Sequence, residues 1–227
     1  MRLRLRDGTT AFTAILICFA ARAEAQVPGV PVLQNAFSNA GLAFAANFGS
    51  GSGQSYYGAA AALGMGTEGR LSISGAAGAQ RSNGATRGAY GARASTRIWS
   101  SGGGALGVGG FAGFGGAPRT GTATVVTNPA VMTIPVGLSV GYRRGLGTSR
   151  GFSVYASPFY RWVRSDSGTV VSNGSVRISG GLDFSFSPSL GVTIGGDLGG
   201  AGSSSSGSRR SSGALGAAVS FVPGGRR

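Results

Sequence analysis

An all-β fold, an antiparallel transmembrane β-barrel of about ten strands preceded by a cleaved signal peptide, is what this sequence predicts. Three observations carry that expectation. Apolar side chains recur at every second position through most of the chain. The N-terminus has the basic, apolar and small-residue order of an export signal. After that signal, no apolar run reaches the ~18 residues that a membrane-spanning helix needs. Counts from eight to twelve strands are compatible with the pattern.

The signal comes first. Arg2, Arg4 and Arg6 precede an apolar run over 11–21, and Ala23-Glu24-Ala25 then forms an A-x-A site before Gln26. Cleavage is expected after Ala25, because the apolar run is far shorter than the ~20 residues of a membrane anchor. Cys18, the one cysteine, lies inside this run after Ile17, where lipoprotein processing requires a small residue. The mature chain is therefore expected to lack a lipid anchor and any thiol, and with it disulfides and cysteine metal sites. The division that follows is 1–25 signal peptide, 26–40 short periplasmic segment, 41–222 outer-membrane barrel, and 223–227 C-terminal tail.

Charge and glycine content exclude other classes. Every basic residue is arginine, and beyond the signal sixteen of them face Glu68, Asp166, Asp183 and Asp197, giving 16 − 4 = +12. The arginines are spread singly with no basic helix, so nucleic acid is not an expected partner. Glycine supplies 45 of 227 residues but shows no G-X-Y period, which excludes collagen.

Alternation identifies the strands in order. Leu42, Phe44, Ala46 and Phe48 share a face, as do Tyr57, Ala59, Ala61, Leu63 and Met65, and then Leu71, Ile73, Ala77 and Ala79. Tyr90, Ala92, Ala94, Thr96 and Ile98 alternate with arginines; Leu106, Val108, Ala112 and Phe114 alternate with glycines. The clearest strands follow. Ile134, Val136, Leu138, Val140 and Tyr142 oppose Pro135, Gly137, Ser139, Gly141 and Arg143. Phe152, Val154, Ala156, Pro158, Tyr160 and Trp162 oppose a mixed face of Ser153, Tyr155, Ser157, Phe159 and Arg161. Val176, Ile178, Gly180, Leu182, Phe184 and Phe186 form the eighth apolar face, Leu190, Val192, Ile194, Gly196 and Leu198 the ninth, and Leu215, Ala217, Val219 and Phe221 the tenth. Period two puts each set on one side of a strand. Trp99 breaks the rule, since parity points it inward.

A soluble sandwich also alternates, but its outer faces carry long polar and charged residues. Here the second face is mostly Gly, Ser, Ala and Thr, which suits a confined lumen. The gaps between alternating segments point the same way. Those at 49–55, 81–86, 116–131, 164–174 and 199–212 are mostly longer than those at 66–69, 100–103, 144–150 and 187–189. Long outer loops against short periplasmic turns are the outer-membrane arrangement. Tyr142, Phe152, Phe186 and Phe221 then fall near the periplasmic end and Tyr160 and Trp162 near the other, as interfacial bands. The glycines at 64, 66 and 69 match a dinucleotide motif by spacing, but no helix follows, so they read as a turn. Asn83-Gly84 and Asn173-Gly174 read as loop turns.

With this pattern the chain resembles the small bacterial outer-membrane β-barrel proteins over nearly all of its mature length. The resemblance implies outer-membrane lipid and the barrel assembly machinery as partners. It also implies that Leu215, Ala217, Val219 and Phe221 form the C-terminal assembly signal, although residues 222–227 follow the aromatic here. Oligomeric state is not implied.

Catalytic chemistry is expected to be absent. The sequence has no histidine and no lysine, and barrel enzymes of the outer membrane rely on a histidine base. No cofactor or metal site is expected either. The candidate functional residues are instead lumen charges: by parity Arg70, Arg87, Arg93, Arg97, Arg161 and Arg177 point inward with Asp183 and Asp197. A turn centred near Pro188 sets Asp197 opposite Ser179 and diagonal to Arg177, within reach of an ion pair. The expected function is a structural or envelope role, or that of a small passive porin-like channel. The competing readings are a surface adhesion protein acting through the loops 116–131 and 199–212, and a secreted glycine-rich soluble protein.

Overall fold

The computed structural model describes residues 40–51, 54–66, 69–82, 84–121, 125–146, 150–200 and 211–223. The expected signal peptide, nearly all of the 26–40 segment and most of the tail lie outside these residues. Ten strands close into an antiparallel barrel: β1 (Gly41–Gly51), β2 (Gln54–Met65), β3 (Leu71–Ser82), β4 (Ala85–Ser100), β5 (Leu106–Ala117), β8 (Ala130–Gly145), β9 (Gly151–Asp166), β10 (Val170–Ser185), β11 (Leu190–Gly200) and β12 (Ser211–Phe221). Between β5 and β8 a separate hairpin pairs β6 (Thr120–Gly121) with β7 (Val126–Asn128). Neighbours in sequence are neighbours in the barrel, and β1 closes on β12.

Each apolar face found by alternation points outward. Val136, Leu138 and Val140 are about half exposed, while Pro135, Ser139 and Gly141, of the opposite parity, are buried. The same holds on β9, where Val154 and Tyr160 are exposed and Ser153, Tyr155, Ser157, Phe159 and Arg161 are buried. An apolar exterior around a polar, small-residue interior inverts the pattern of a soluble β-protein.

Trp99 is outward too, and a β-bulge is the reason. The β4–β5 register shifts between Arg97, which pairs with Gly109, and Trp99, which pairs with Val108. Two residues then oppose one, and Ile98 and Trp99 both end on the apolar surface, 57% and 53% exposed.

The closure can be read from the pairing alone. From Gly195, one walk across paired residues passes Gly216, Gly49, Tyr56 and Gln80 to Arg87 on β4. The opposite walk passes Gly181, Tyr155, Gly141 and Gly107 to Ser100 on the same strand. The two endpoints differ by 100 − 87 = 13 positions, one of which is the bulge residue. A stagger of that size on ten strands demands strands tilted by about 40°.

The connections differ from expectation at the end that carries the odd-numbered ones, here the loop end. The strands run further than their alternation, so only 52–53, 83–84 and 167–169 separate β1 from β2, β3 from β4 and β9 from β10. The long connections at this end are 118–129 and 201–210, while the opposite turn end has 66–70, 101–105, 146–150 and 186–189. Loop length thus marks the two ends less sharply than the sequence gaps imply. Asn173-Gly174 is not a turn but lies within β10, and the reversal falls at Gly168, whose φ is 108°. Gly66, Gly69 and Gly84 do sit in turns with positive φ.

Outward aromatics form two bands. Tyr142, Phe152, Phe184, Phe186, Phe221 and the displaced Trp99 lie toward the turn end; Phe48, Tyr57, Tyr90, Phe114 and Tyr160 lie nearer the loop end. Tyr142 and Phe152 meet edge to face, ring centroids 6.3 Å apart. Between the bands the surface is alanine and aliphatic, as a bilayer-spanning belt requires.

Candidate functional site

The lumen is the one enclosed space that all ten barrel strands build, and its two halves differ in side-chain size. On β1, β2 and β12 the inward positions include Ala43, Ala45, Asn47, Gly49, Tyr56, Gly58, Ala60, Ala62, Ala214, Gly216 and Ala218. On β4 to β10 they include Arg93, Phe111, Tyr155, Phe159, Arg161 and Arg177, each with 8% exposure or less. The large inward side chains are thus concentrated on one side of the lumen.

Glycines let the bulky side chains lie flat against the wall. A β-carbon at Gly181 would stand 2.7 Å from the Tyr155 hydroxyl, and one at Gly195 2.8 Å from it, so that ring covers both glycines. Gly137 lies directly beneath Phe159. Gly199 leaves room for the stem of Arg177, whose Cγ would be 2.6 Å from a β-carbon there. In the middle of the lumen the Phe111 and Phe159 rings meet at 6.2 Å, and the Arg93 guanidinium stacks over Phe111 at 5.0 Å. A desolvated cation over an aromatic face is worth about 2 kcal/mol.

The carboxylates are anchored in this network. Ser179 pairs with Asp197, and Arg177 Nε donates to Asp197 Oδ2 at 2.7 Å, so the diagonal ion pair forms. Arg161 lies within electrostatic range of the same carboxylate. Asp183 accepts from Ser153 Oγ at 2.8 Å and from the Thr193 hydroxyl.

At the loop end a second network holds the 118–129 connection down. Arg87 Nε donates to Gln80 Oε1 at 2.8 Å, and its Nη1 donates to the carbonyls of Pro118 and Pro129, one at each root of the loop. Gln80 in turn donates to Gln54 at 2.6 Å. Asn128, at 2% exposure, donates to the Ser82 carbonyl at 3.2 Å and to Thr120 Oγ1 at 3.1 Å. At the turn end Arg143 Nε donates to the Gly104 carbonyl at 2.8 Å.

Of the eight charges expected inside, Arg87, Arg93, Arg97, Arg161 and Arg177 are buried, and Asp183 and Asp197 are half-buried. Arg70 is the exception. It precedes β3 in the 66–70 turn and is exposed, because parity says which way a side chain leaves a strand but not where the strand begins. Among those eight, the inward charge is therefore 5 − 2 = +3. Alternation alone missed Tyr56, Phe111 and Gln80, each inward and large and marked only by its parity against an outward neighbour, and Asn128, buried in the β6–β7 hairpin outside the barrel strands. Among the described residues no cluster of three or more potential metal ligands occurs. No protein-family model matches the chain, and no curated protein matches it in sequence.

Proposed function

We propose that this chain is a non-enzymatic outer-membrane protein, a lipid-embedded barrel whose filled lumen gives it a structural envelope role in place of an open pore. The observation that carries the reading is the burial of Phe111, Tyr155, Phe159 and Arg93 inside the barrel, with Phe111 meeting Phe159 and Arg93 over Phe111, where a porin needs water. Lipid embedding is supported by the aliphatic belt between two aromatic bands. A non-enzymatic role is supported by a sequence with no histidine or lysine, which leaves a nucleophile without its usual base. In this reading the assembly machinery recognises the outward stripe of Leu215, Ala217, Val219 and Phe221 on the closing strand. A surface-adhesion role through 116–131 has less support, since Arg87 and Asn128 tie that loop to the barrel.

Two measurements test the proposal. A folded barrel extracted from the outer-membrane fraction should migrate differently on a gel before and after boiling. In planar bilayers it should conduct little or nothing, and any conductance should favour chloride over potassium, because inward arginines outnumber carboxylates. A large cation-selective conductance would overturn the filled-lumen reading.

A further inference from the structure

Two exposed arginines, Arg144 and Arg150, stand together on the outward face at the turn end, where β8 passes into β9. The register fixes their neighbourhood. Arg144 pairs with Phe152 and Gly145 with Gly151, and the Leu146 amide donates to the Arg150 carbonyl at 2.8 Å. Arg144 therefore shares the parity of Tyr142, and Arg150 that of Phe152. Across an antiparallel pair such diagonal neighbours are about 7–8 Å apart at the backbone, within joint reach of one ligand for side chains this long. Neither arginine is ion-paired among the described residues. The sequence offers no acid nearby, since 143–150 and the flanking connections 101–105 and 186–189 contain no aspartate or glutamate. Arg143, of the opposite parity, donates to the Gly104 carbonyl instead.

Height along the barrel decides what the two charges meet. Tyr142 and Phe152 belong to the turn-end aromatic band, where their rings meet edge to face. Arg144 and Arg150 each lie two positions further toward the turn, about 7 Å at the rise of a strand. Aromatic girdles mark the boundary of the hydrocarbon, and lipid phosphates begin just outside it. On the other side of the rings, Val140 and Val154 continue the apolar surface, 49% and 40% exposed. Two guanidinium groups side by side at a boundary of lowered dielectric repel each other, and a phosphate accepts hydrogen bonds from both. A zwitterionic headgroup brings its own ammonium, whereas an anionic one supplies the missing negative charge. We propose that Arg144 and Arg150 bind the headgroup phosphate of an anionic phospholipid in the leaflet at the turn end, its acyl chains lying over Tyr142, Phe152 and Val140. The site rests on the lipid-embedded barrel proposed above, since only a bilayer places phosphates at that height.

The test refolds the full chain into vesicles of phosphatidylcholine with a rising fraction of phosphatidylglycerol and unfolds it with urea at fixed ionic strength. The midpoint should climb with that fraction and level off, as a ligand of the folded state demands. The climb should be lost in the double variant Arg144→Gln/Arg150→Gln. It should be kept in Arg81→Gln/Arg164→Gln, which removes two exposed arginines at the loop end. Should the first double variant fail to insert, Arg144→Gln alone should lessen the climb. A climb that survives without Arg144 and Arg150, or that both double variants lose alike, reports general attraction of a basic chain to an anionic surface and overturns the site. Inorganic phosphate on both sides of phosphatidylcholine vesicles should leave the midpoint where it was; a rise matching that with phosphatidylglycerol would assign the pair to a soluble anion and overturn the lipid. A chain that inserts but ignores phosphatidylglycerol defeats the site alone, whereas a chain that inserts into no vesicle defeats the lipid-embedded reading itself.

Discussion

Gly137 and Gly174 illustrate how differently one residue type is used on the two surfaces of a barrel wall. Gly137 faces the lumen beneath the Cβ and backbone of Phe159, groups with nowhere to go. Gly174 faces outward beneath the Tyr160 ring, which is 51% exposed and free to swing away. Gly137→Ala should therefore cost about 1–3 kcal/mol by overpacking, and Gly174→Ala much less, measured by urea unfolding from vesicles; equal costs would refute the close approach. The direction of Gly137 was legible in the sequence, because period two separates lumen from belt whatever the side chain, whereas Gly174 read as part of a loop turn and not of a strand. Their contacts were not legible. Parity says nothing of how far a ring reaches along its strand, so the cover of Tyr155 over Gly181 and Gly195, or of Tyr56 over Gly58, needs the register between strands.

Strands and connections show the same division. All ten alternating segments became barrel strands, but their ends did not follow their apolar patterns, since β10 begins at Val170, six positions before its first regular apolar residue, Val176. Backbone pairing with β9 continues there without an apolar face to announce it. The bulge at Trp99 was visible only as a broken parity, and the β6–β7 hairpin was hidden in a stretch rich in small residues. That hairpin depends on Arg87, which binds the carbonyls at both of its roots. Arg87→Ala should release it, so limited proteolysis should cut within 118–129 many times faster while the strands stay protected. An unchanged cleavage rate would mean that Asn128 and the hairpin's own pairing suffice to hold it.

At the scale of the whole molecule, the belt makes substitution costs depend on height along the barrel. Leu138, 52% exposed, lies between the aromatic bands, and Val170, 48% exposed, lies on the β9–β10 extension beyond them. Leu138→Arg should cost about 2–4 kcal/mol in vesicle refolding and Val170→Arg between about zero and 1. Similar costs at the two sites would move the bilayer away from the belt. The seam between β1 and β12 adds a matter of timing. It joins the first and last strands through seven paired positions, Phe44–Ser50 against Leu215–Phe221, whereas β1 and β2 share eleven. Its contacts span the greatest sequence separation in the barrel, so the entropy lost in bringing those ends together is the largest of any pair. Until β12 has paired, β1 and β11 each present a bare strand edge, a state prone to pairing with the wrong chain. Circularity thus makes the last eleven-residue strand the event that converts an aggregation-prone ribbon into a molecule without edges.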